Sequence, residues 1–354
     1  MTLTSDSPRL YWQRHGEGEP LLWITGFMIS AAPLDPVLDL YTDRFSCITY
    51  DHRLSGRSDK PLQLTSVPTL AADAVRVLDA AGVGSAHVYG ISMGGMVAQE
   101  MAIRFPDRVR GLVLGGSTPG GPRAFRPGVR NLATLAGRMA ATVTEPGFPV
   151  IAPALFTPEF RRDNPERTRE LLRGFFEHLP PPPQGMAGHW WASVYHDTFS
   201  RLGSIAAPTL VVHGARDDMA PVENARLIAG RIPDAEVAIV PDAGHVFVLQ
   251  RPELSRRLLD DWLDRKGPIG PGPELDGLAA TAEPWTRRGG LVTGMVRTGA
   301  SLLGLGFDTV AGRRAPPPPR SDPGPGHVIT AFENDDHDGS VGPTEGSRQR
   351  VATD

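Results

Sequence analysis

Residues 86–106 read AHVYGISMGGMVAQEMAIRFP: an apolar run, then Gly90-Ile91-Ser92-Met93-Gly94, then an amphipathic helical pattern stopped by Pro106. This is G-x-S-x-G with a strand before it and a helix after it, the context in which the pattern carries chemistry. In a chain with 40 glycines the pentapeptide alone says little; the strand–turn–helix frame gives it meaning. The turn is too tight for a Cβ at the flanking positions, and glycine tolerates the backbone angles expected there. Ser92 is thereby expected at the tip, its hydroxyl exposed beside a helix N-terminus whose N–H groups and dipole favour developing negative charge.

On either side of this segment, residues 9–265 alternate strand-like and helix-like stretches, which predicts an α/β domain with a mostly parallel sheet and helices on both faces. Strands are expected at Arg9–Arg14, Pro20–Ile24, Phe45–Tyr50, His87–Gly90, Val109–Leu114, Pro208–His213 and Glu236–Val240. Several are continuous apolar runs (LLWI, LVL, LVV), as in strands covered on both faces. Helices are expected at Thr69–Ala81, Met93–Phe105, Val222–Arg231 and Pro252–Arg265. In the first of these, Leu70, Ala74, Val77, Leu78 and Ala81 form one stripe, with Asp73 and Arg76 pointing away from it.

The rhythm breaks after Thr118. Residues 118–203 open with Pro119-Gly120-Gly121-Pro122 and carry helical patches with Phe156, Phe160, Phe175, Phe176, Trp190 and Trp191. A helical cap over the C-terminal edge of the sheet, where α/β proteins bind ligands, is the expectation. The core is then residues 1–117 and 204–266. From 267 to 354 the chain is Pro/Gly-rich (GPIGPGPELDG, APPPPRSDPGPG) and is expected to be largely disordered. Within it, residues 291–310 are apolar with basic flanks. They can form an amphipathic helix that docks on the protein itself or on a membrane surface, and they are glycine-rich and broken by Arg297, which makes a poor transmembrane span.

Composition narrows the function classes. A formal net charge of -4, with 21% charged and 40% hydrophobic residues, gives no basic field for nucleic acid. The single cysteine, Cys47, lies in the apolar run FSCITY and reads as a buried, inert thiol. The first residues lack a basic segment followed by an apolar one, so cytoplasmic residence is the default, with a peripheral membrane position if the tail helix binds lipid.

A serine hydroxyl needs a base, usually histidine, and a group to orient it. His245 in PDAGHVFV follows the apolar run AEVAIV and precedes a helix, placing it on a loop at a strand end. His15 follows an edge-like strand, His87 sits at a strand start, and His213 lies in a buried strand end. His178, His189 and His196 fall in the insertion and are candidates for a pocket wall; His327 and His337 fall in the tail. For the orienting acid, PTLVVHGARDDMAP offers Asp217 between Gly214 and Pro221, with Asp218 as its neighbour and Asp242 as a weaker third. Loop aspartates are commonly solvated turn formers, so the spacing is what favours Asp217. Attack on a carbonyl also needs oxyanion donors. The backbone N–H groups of Met93, after the serine, and Phe27, in the loop Thr25-Gly26-Phe27-Met28, are expected to supply them. No histidine or acid spacing suggests a metal cluster, and no cofactor is implied.

The segment Tyr50–Pro61 (YDHRLSGRSDKP), the Ser92 elbow, the Gly214…Asp217…Pro221 loop and Ala243-Gly244-His245 together resemble the α/β-hydrolase superfamily. The likeness is greatest to its bacterial branch of esterases, 3-oxoadipate enol-lactonases and cofactor-free haloperoxidase-like enzymes. It covers residues 9–265. The resemblance implies an α/β-hydrolase fold, Ser92 as nucleophile, His245 as base, Asp217 as orienting acid, and Phe27 and Met93 as oxyanion donors, in the chain order Ser, Asp, His. It further implies a carboxylic ester hydrolase acting on a small to medium apolar ester or lactone. Perhydrolysis, acyl transfer and non-catalytic binding of an apolar ligand are the alternatives on the same scaffold. Two positions depart from the pattern. Thr25-Gly26 stands where relatives commonly have His-Gly, and Leu54 follows Arg53 where glycine is usual, leaving that turn's geometry open.

Overall fold

In a computed structural model, residues 2–126, 151–176, 182–267 and 328–330 are described. They include nine strands: β1 (Thr2–Leu3), β2 (Tyr11–His15), β3 (Glu19–Ile24), β4 (Phe45–Tyr50), β5 (Ala86–Ile91), β6 (Val109–Gly115), β7 (Thr209–Gly214), β8 (Ala235–Val240) and β9 (Val328–Thr330). They form one sheet in the order β1-β2-β4-β3-β5-β6-β7-β8-β9. The pairs β1–β2 and β2–β4 are antiparallel, and every pair beyond them is parallel. The strand expected from Arg9 begins at Tyr11 because Arg9 is held elsewhere: its N–H and guanidinium both bond the Asp59 carboxylate.

Side chains alternate between two cores, one on each face of the sheet. In β3, Leu22 and Ile24 join Ile48, Val88, Leu112 and the helices Val67–Ala80 and Met93–Arg104 on one side. Leu21 and Trp23 join Cys47, Tyr89, Val212 and Trp262 on the other. Trp23 stacks on Tyr89 at 4.3 Å and meets the ring of Tyr41 edge-on at 4.9 Å. With both faces covered, the strands read as unbroken apolar runs rather than alternating ones.

The Val67–Ala80 helix starts where Ser66 caps it, its Oγ accepting from the Thr69 N–H at 3.2 Å. Leu70, Ala74, Val77 and Leu78 are buried as the stripe predicts, but Asp73 is buried too and does not point into solvent. Its carboxylate accepts from Arg53 at 2.6 Å and from Arg76 at 2.8 Å. The loop after β4 reaches over the helix and brings the arginine that makes this burial tolerable.

Between β6 and β7 the described chain is helical: Ala152–Leu155, Pro158–Asp163, Pro165–Phe176 and Pro183–Val194. The aromatics of this stretch divide. Phe156 is buried and stacks on Phe160 at 5.4 Å, and Phe175 is buried as well. Trp190 and Trp191 are instead 44% and 40% exposed. Residues 127–150 and His178 lie outside the described residues. So do the helix expected over 291–310, His327 and His337. Among the described residues, the C-terminal stretch contributes a strand that its composition conceals: β9 pairs with β8 through Val237↔Val328, Ala238↔Ile329 and Ile239↔Thr330. Its Val-Ile-Thr sequence has high strand propensity and pairs with the otherwise open edge of β8. Among the described residues, no helix is long and apolar enough to cross a membrane.

Candidate active site

Strand β5 ends at Ile91, and the chain reverses at Ser92 into the Met93–Arg104 helix. Ser92 itself carries the unusual backbone, φ 57° and ψ −121°, in a region that side chains avoid. Neither Gly90 nor Gly94 has positive φ, so their role is space and not backbone freedom. A Cβ on Gly90 would lie 2.4 Å from the Gly94 carbonyl oxygen, and one on Gly94 would lie 2.0 Å from that of Ile24. The turn is held by the Ser92 N–H donating to the Gly115 carbonyl at 2.8 Å and by Ser117 Oγ donating to the Ser92 carbonyl at 2.9 Å.

Loops at the C-terminal ends of β7 and β8 bring Asp217 and His245 to this serine. His245 Nε2 lies 2.9 Å from Ser92 Oγ, and Nδ1 lies 2.8 Å from Asp217 Oδ2. Asp217 is fully enclosed yet ionised. Burial alone would raise its carboxyl, but the electrostatic pull of His245, the neighbouring His213 ring and the hydrogen bond from His245 hold it well below the usual carboxylate range. Three hydrogen bonds fix it: Oδ1 accepts from the Met219 and Ala220 N–H groups at 2.8 Å each, and Oδ2 from His245 Nδ1 at 2.8 Å, while the His213 ring, whose Nε2 donates to the Ala220 carbonyl at 2.8 Å, lies 3.2 Å from Oδ2. A carboxylate only accepts, so the His245 proton resides on Nδ1 and Nε2 presents its lone pair to the serine hydroxyl. Asp218 is exposed, and Asp242 is exposed and paired with Arg251, so neither is near His245 in this role.

The loop after β3 forms the opposite wall. Gly26 approaches so closely that a Cβ there would lie 3.3 Å from Ser92 Cβ. Among the described residues, neither the Phe27 nor the Met93 N–H has a hydrogen-bond acceptor. Three groups brace this loop. His52 Nε2 donates to the Thr25 carbonyl at 3.1 Å, the Met28 N–H donates to His189 Nδ1 at 3.2 Å, and the Ala31 N–H donates to Asp51 Oδ1 at 2.8 Å. Burial pushes His52 down to about 4, and burial with the nearby His52 pushes His189 down to about 3, so both rings are neutral. No motif singles out His52, although it follows an apolar strand just as His245 does. His189, a candidate for a pocket wall, is buried, its ring bonded to the loops after β3 and β4. His196 is likewise buried, 3.4 Å from Thr198 Oγ1, and away from Ser92 in its bonding. The turn left open at Leu54 takes a left-handed backbone, φ 72°, with the side chain fully buried. Among the described residues, no group of three or more His, Cys, Asp or Glu side chains could hold a metal ion.

Compared with known proteins, a family model for the alpha/beta hydrolase fold matches residues 19–252. The chain therefore belongs to the α/β hydrolase family. It is 32% identical over 255 residues to a RutD protein of Azorhizobium caulinodans, named as a carbamate hydrolase, covering 71% of this chain and 93% of that one. A poly(3-hydroxyalkanoate) depolymerase of Ectopseudomonas oleovorans is 29% identical, covering 70% of this chain and 85% of that one. Among solved structures, a thermophilic esterase from Thermogutta terrifontis, with malate bound, superposes with a TM-score of 0.63 at 26% identity, covering 74% of this chain and 96% of that one.

Proposed function

We propose that this hydrolase cleaves carboxylic esters or lactones of small to medium apolar substrates through an acyl-enzyme on Ser92. The observation that carries the reading is the His245 ring, bridging Ser92 Oγ at 2.9 Å and the ionised Asp217 at 2.8 Å. As Ser92 Oγ attacks the carbonyl carbon, its proton passes to His245 Nε2, and Asp217 steadies the imidazolium. The Phe27 and Met93 N–H groups receive the oxyanion, each worth about 3 kcal/mol in the transition state by analogy with other holes. His245 returns the proton to the leaving alkoxide, then draws one from water, whose attack releases the acid. For a lactone the leaving group stays tethered to the acyl chain.

Residues 118–203 are read as a cap over this site, in support of which the Pro183–Val194 helix reaches the loops after β3 and β4 through His189. The relatives named for a carbamate, a polyester and an ester share a carbonyl bearing a heteroatom leaving group, so all three belong in the substrate panel. Turnover of esters, lactones and carbamates is measured for the wild type and Ser92→Ala, with fluorophosphonate labelling in parallel. Turnover that vanishes in Ser92→Ala, with label on Ser92, is the expected result. Full activity of Ser92→Ala, or an unlabelled wild type, sinks the reading. Faster turnover with peroxide or an alcohol than with water shifts it to perhydrolysis or acyl transfer.

A further inference from the structure

The Pro183–Val194 helix buries one face, Gly185, Gly188, His189 and Ala192, spaced i, i+3, i+4, i+7. A Cβ on Gly185 would lie 2.4 Å from the Leu54 carbonyl oxygen, and one on Gly188 would lie 2.5 Å from Leu54 Cδ1. The two glycines let the helix backbone settle directly on the turn at Leu54. That approach delivers the His189 ring between two loops. Its Nδ1 accepts from the Met28 N–H at 3.2 Å, and its Nε2 donates to the Arg53 carbonyl at 2.8 Å. Only the neutral ring with hydrogen on Nε2 makes both bonds.

The three non-glycine residues at positive φ among those described are Met28, Leu54 and Ser92. One is the proposed nucleophile. His189 binds the amide of the second and the carbonyl just before the third. The peptide whose N–H is the proposed oxyanion donor, Gly26–Phe27, is thus bracketed. The peptide plane before it is held through Thr25 by His52, and the plane after it through Met28 by His189.

The geometry points to His189 as a positioning residue that, carried by the helix Pro183–Val194, fixes the oxyanion loop for the reaction at Ser92. This inference rests on the serine-hydrolase reading and assigns its hole a support from the insertion. The positioning role differs from plain packing because it acts on the transition state. Losing it weakens oxyanion binding and leaves ground-state binding alone.

The test compares wild type, His189→Phe and His189→Asn with p-nitrophenyl butyrate as substrate and an alkyl trifluoromethyl ketone as a reversible oxyanion mimic. Phenylalanine keeps a ring and loses both hydrogen bonds; asparagine can return an acceptor to the Met28 N–H. The expected result for His189→Phe is a kcat lower by about 10- to 100-fold, with KM within about twofold and inhibition by the ketone weakened by the factor that kcat loses. His189→Asn recovers most of that loss. A wild-type kcat in His189→Phe, a loss confined to KM, or equal losses in the two variants overturns the inference while Ser92-dependent turnover leaves the reading standing. Nitrogen-15 NMR of the wild-type histidines needs no variant: hydrogen on Nε2 of His189 near neutral pH is expected, and hydrogen on Nδ1 overturns the assignment. Absence of any Ser92-dependent turnover in the wild type removes the reading itself.

Discussion

Asp217 is oriented by its own loop. The Met219 and Ala220 N–H groups fix one carboxylate oxygen, so in Asp217→Asn the amide oxygen must stay with them and the NH2 must face His245. Two donors cannot share one bond, so the ring switches tautomer and presents N–H to Ser92. On the proposed mechanism kcat falls by about 10⁴, as in the serine-protease case, with the fold retained; circular dichroism and single-turnover kinetics check both halves. Leu54 poses an opposite question, since glycine is the residue its backbone prefers. Relief of the left-handed strain gains about 1–2 kcal/mol, whereas emptying a fully buried leucine site costs about 2–5 kcal/mol. Leu54→Gly should therefore be destabilising, by about 1–3 kcal/mol in denaturant titration. A more stable Leu54→Gly protein would show that strain dominates. The catalytic candidates could be read from sequence because each follows an apolar strand. His189 could not: it sits mid-helix, and its partners are 161 and 136 residues away.

Helices and loops were legible where burial follows a period and illegible where it follows a partner. The stripe on the Val67–Ala80 helix located its apolar contacts and misplaced Asp73, because Arg53 belongs to a different loop and no helical period encodes it. Removing one member of such an enclosed pair leaves the other unpaired, so Asp73→Ala is expected to cost about 3–5 kcal/mol; an unfolding midpoint within error of wild type would contradict that. The elbow glycines offer a second case. Their value lies in contact with neighbouring backbone, and Gly94→Ala drives a methyl into the Ile24 carbonyl. It should cost more stability than Gly82→Ala in an exposed turn, where a Cβ meets nothing within 4 Å, although Gly82 also has a positive φ of 68° that alanine dislikes. Thermal midpoints of the two variants decide the ranking.

Across the whole molecule, the enclosed histidines couple stability to acidity. Burial holds His52 and His196 at about 4 and His189 at about 3, while each would titrate near its ordinary value of 6.5 in the unfolded chain. Between those values the unfolded chain binds protons that the folded one refuses, so stability is full above about pH 6.5 and falls as pH drops toward 4. The slope can reach about 1.4 kcal/mol per pH unit for each histidine. Asp217 acts lower: its depressed carboxyl contributes in full above the ordinary carboxylate value and loses that contribution progressively as pH falls from there through its folded value. Denaturation midpoints that stay flat between about pH 7 and 4.5 would contradict the histidine contribution.

Cys47 lies in β4, fully buried, and burial pushes its thiol up to about 11. The sequence has one cysteine, so each chain carries a single alkylation site that is silent while the sheet is closed. Exchange of that silence for reactivity is a clock. Pulse labelling with iodoacetamide counts how often β4 opens to solvent, and the same measurement on the His189 and Asp217 variants separates lost chemistry from a loosened protein without requiring any substrate.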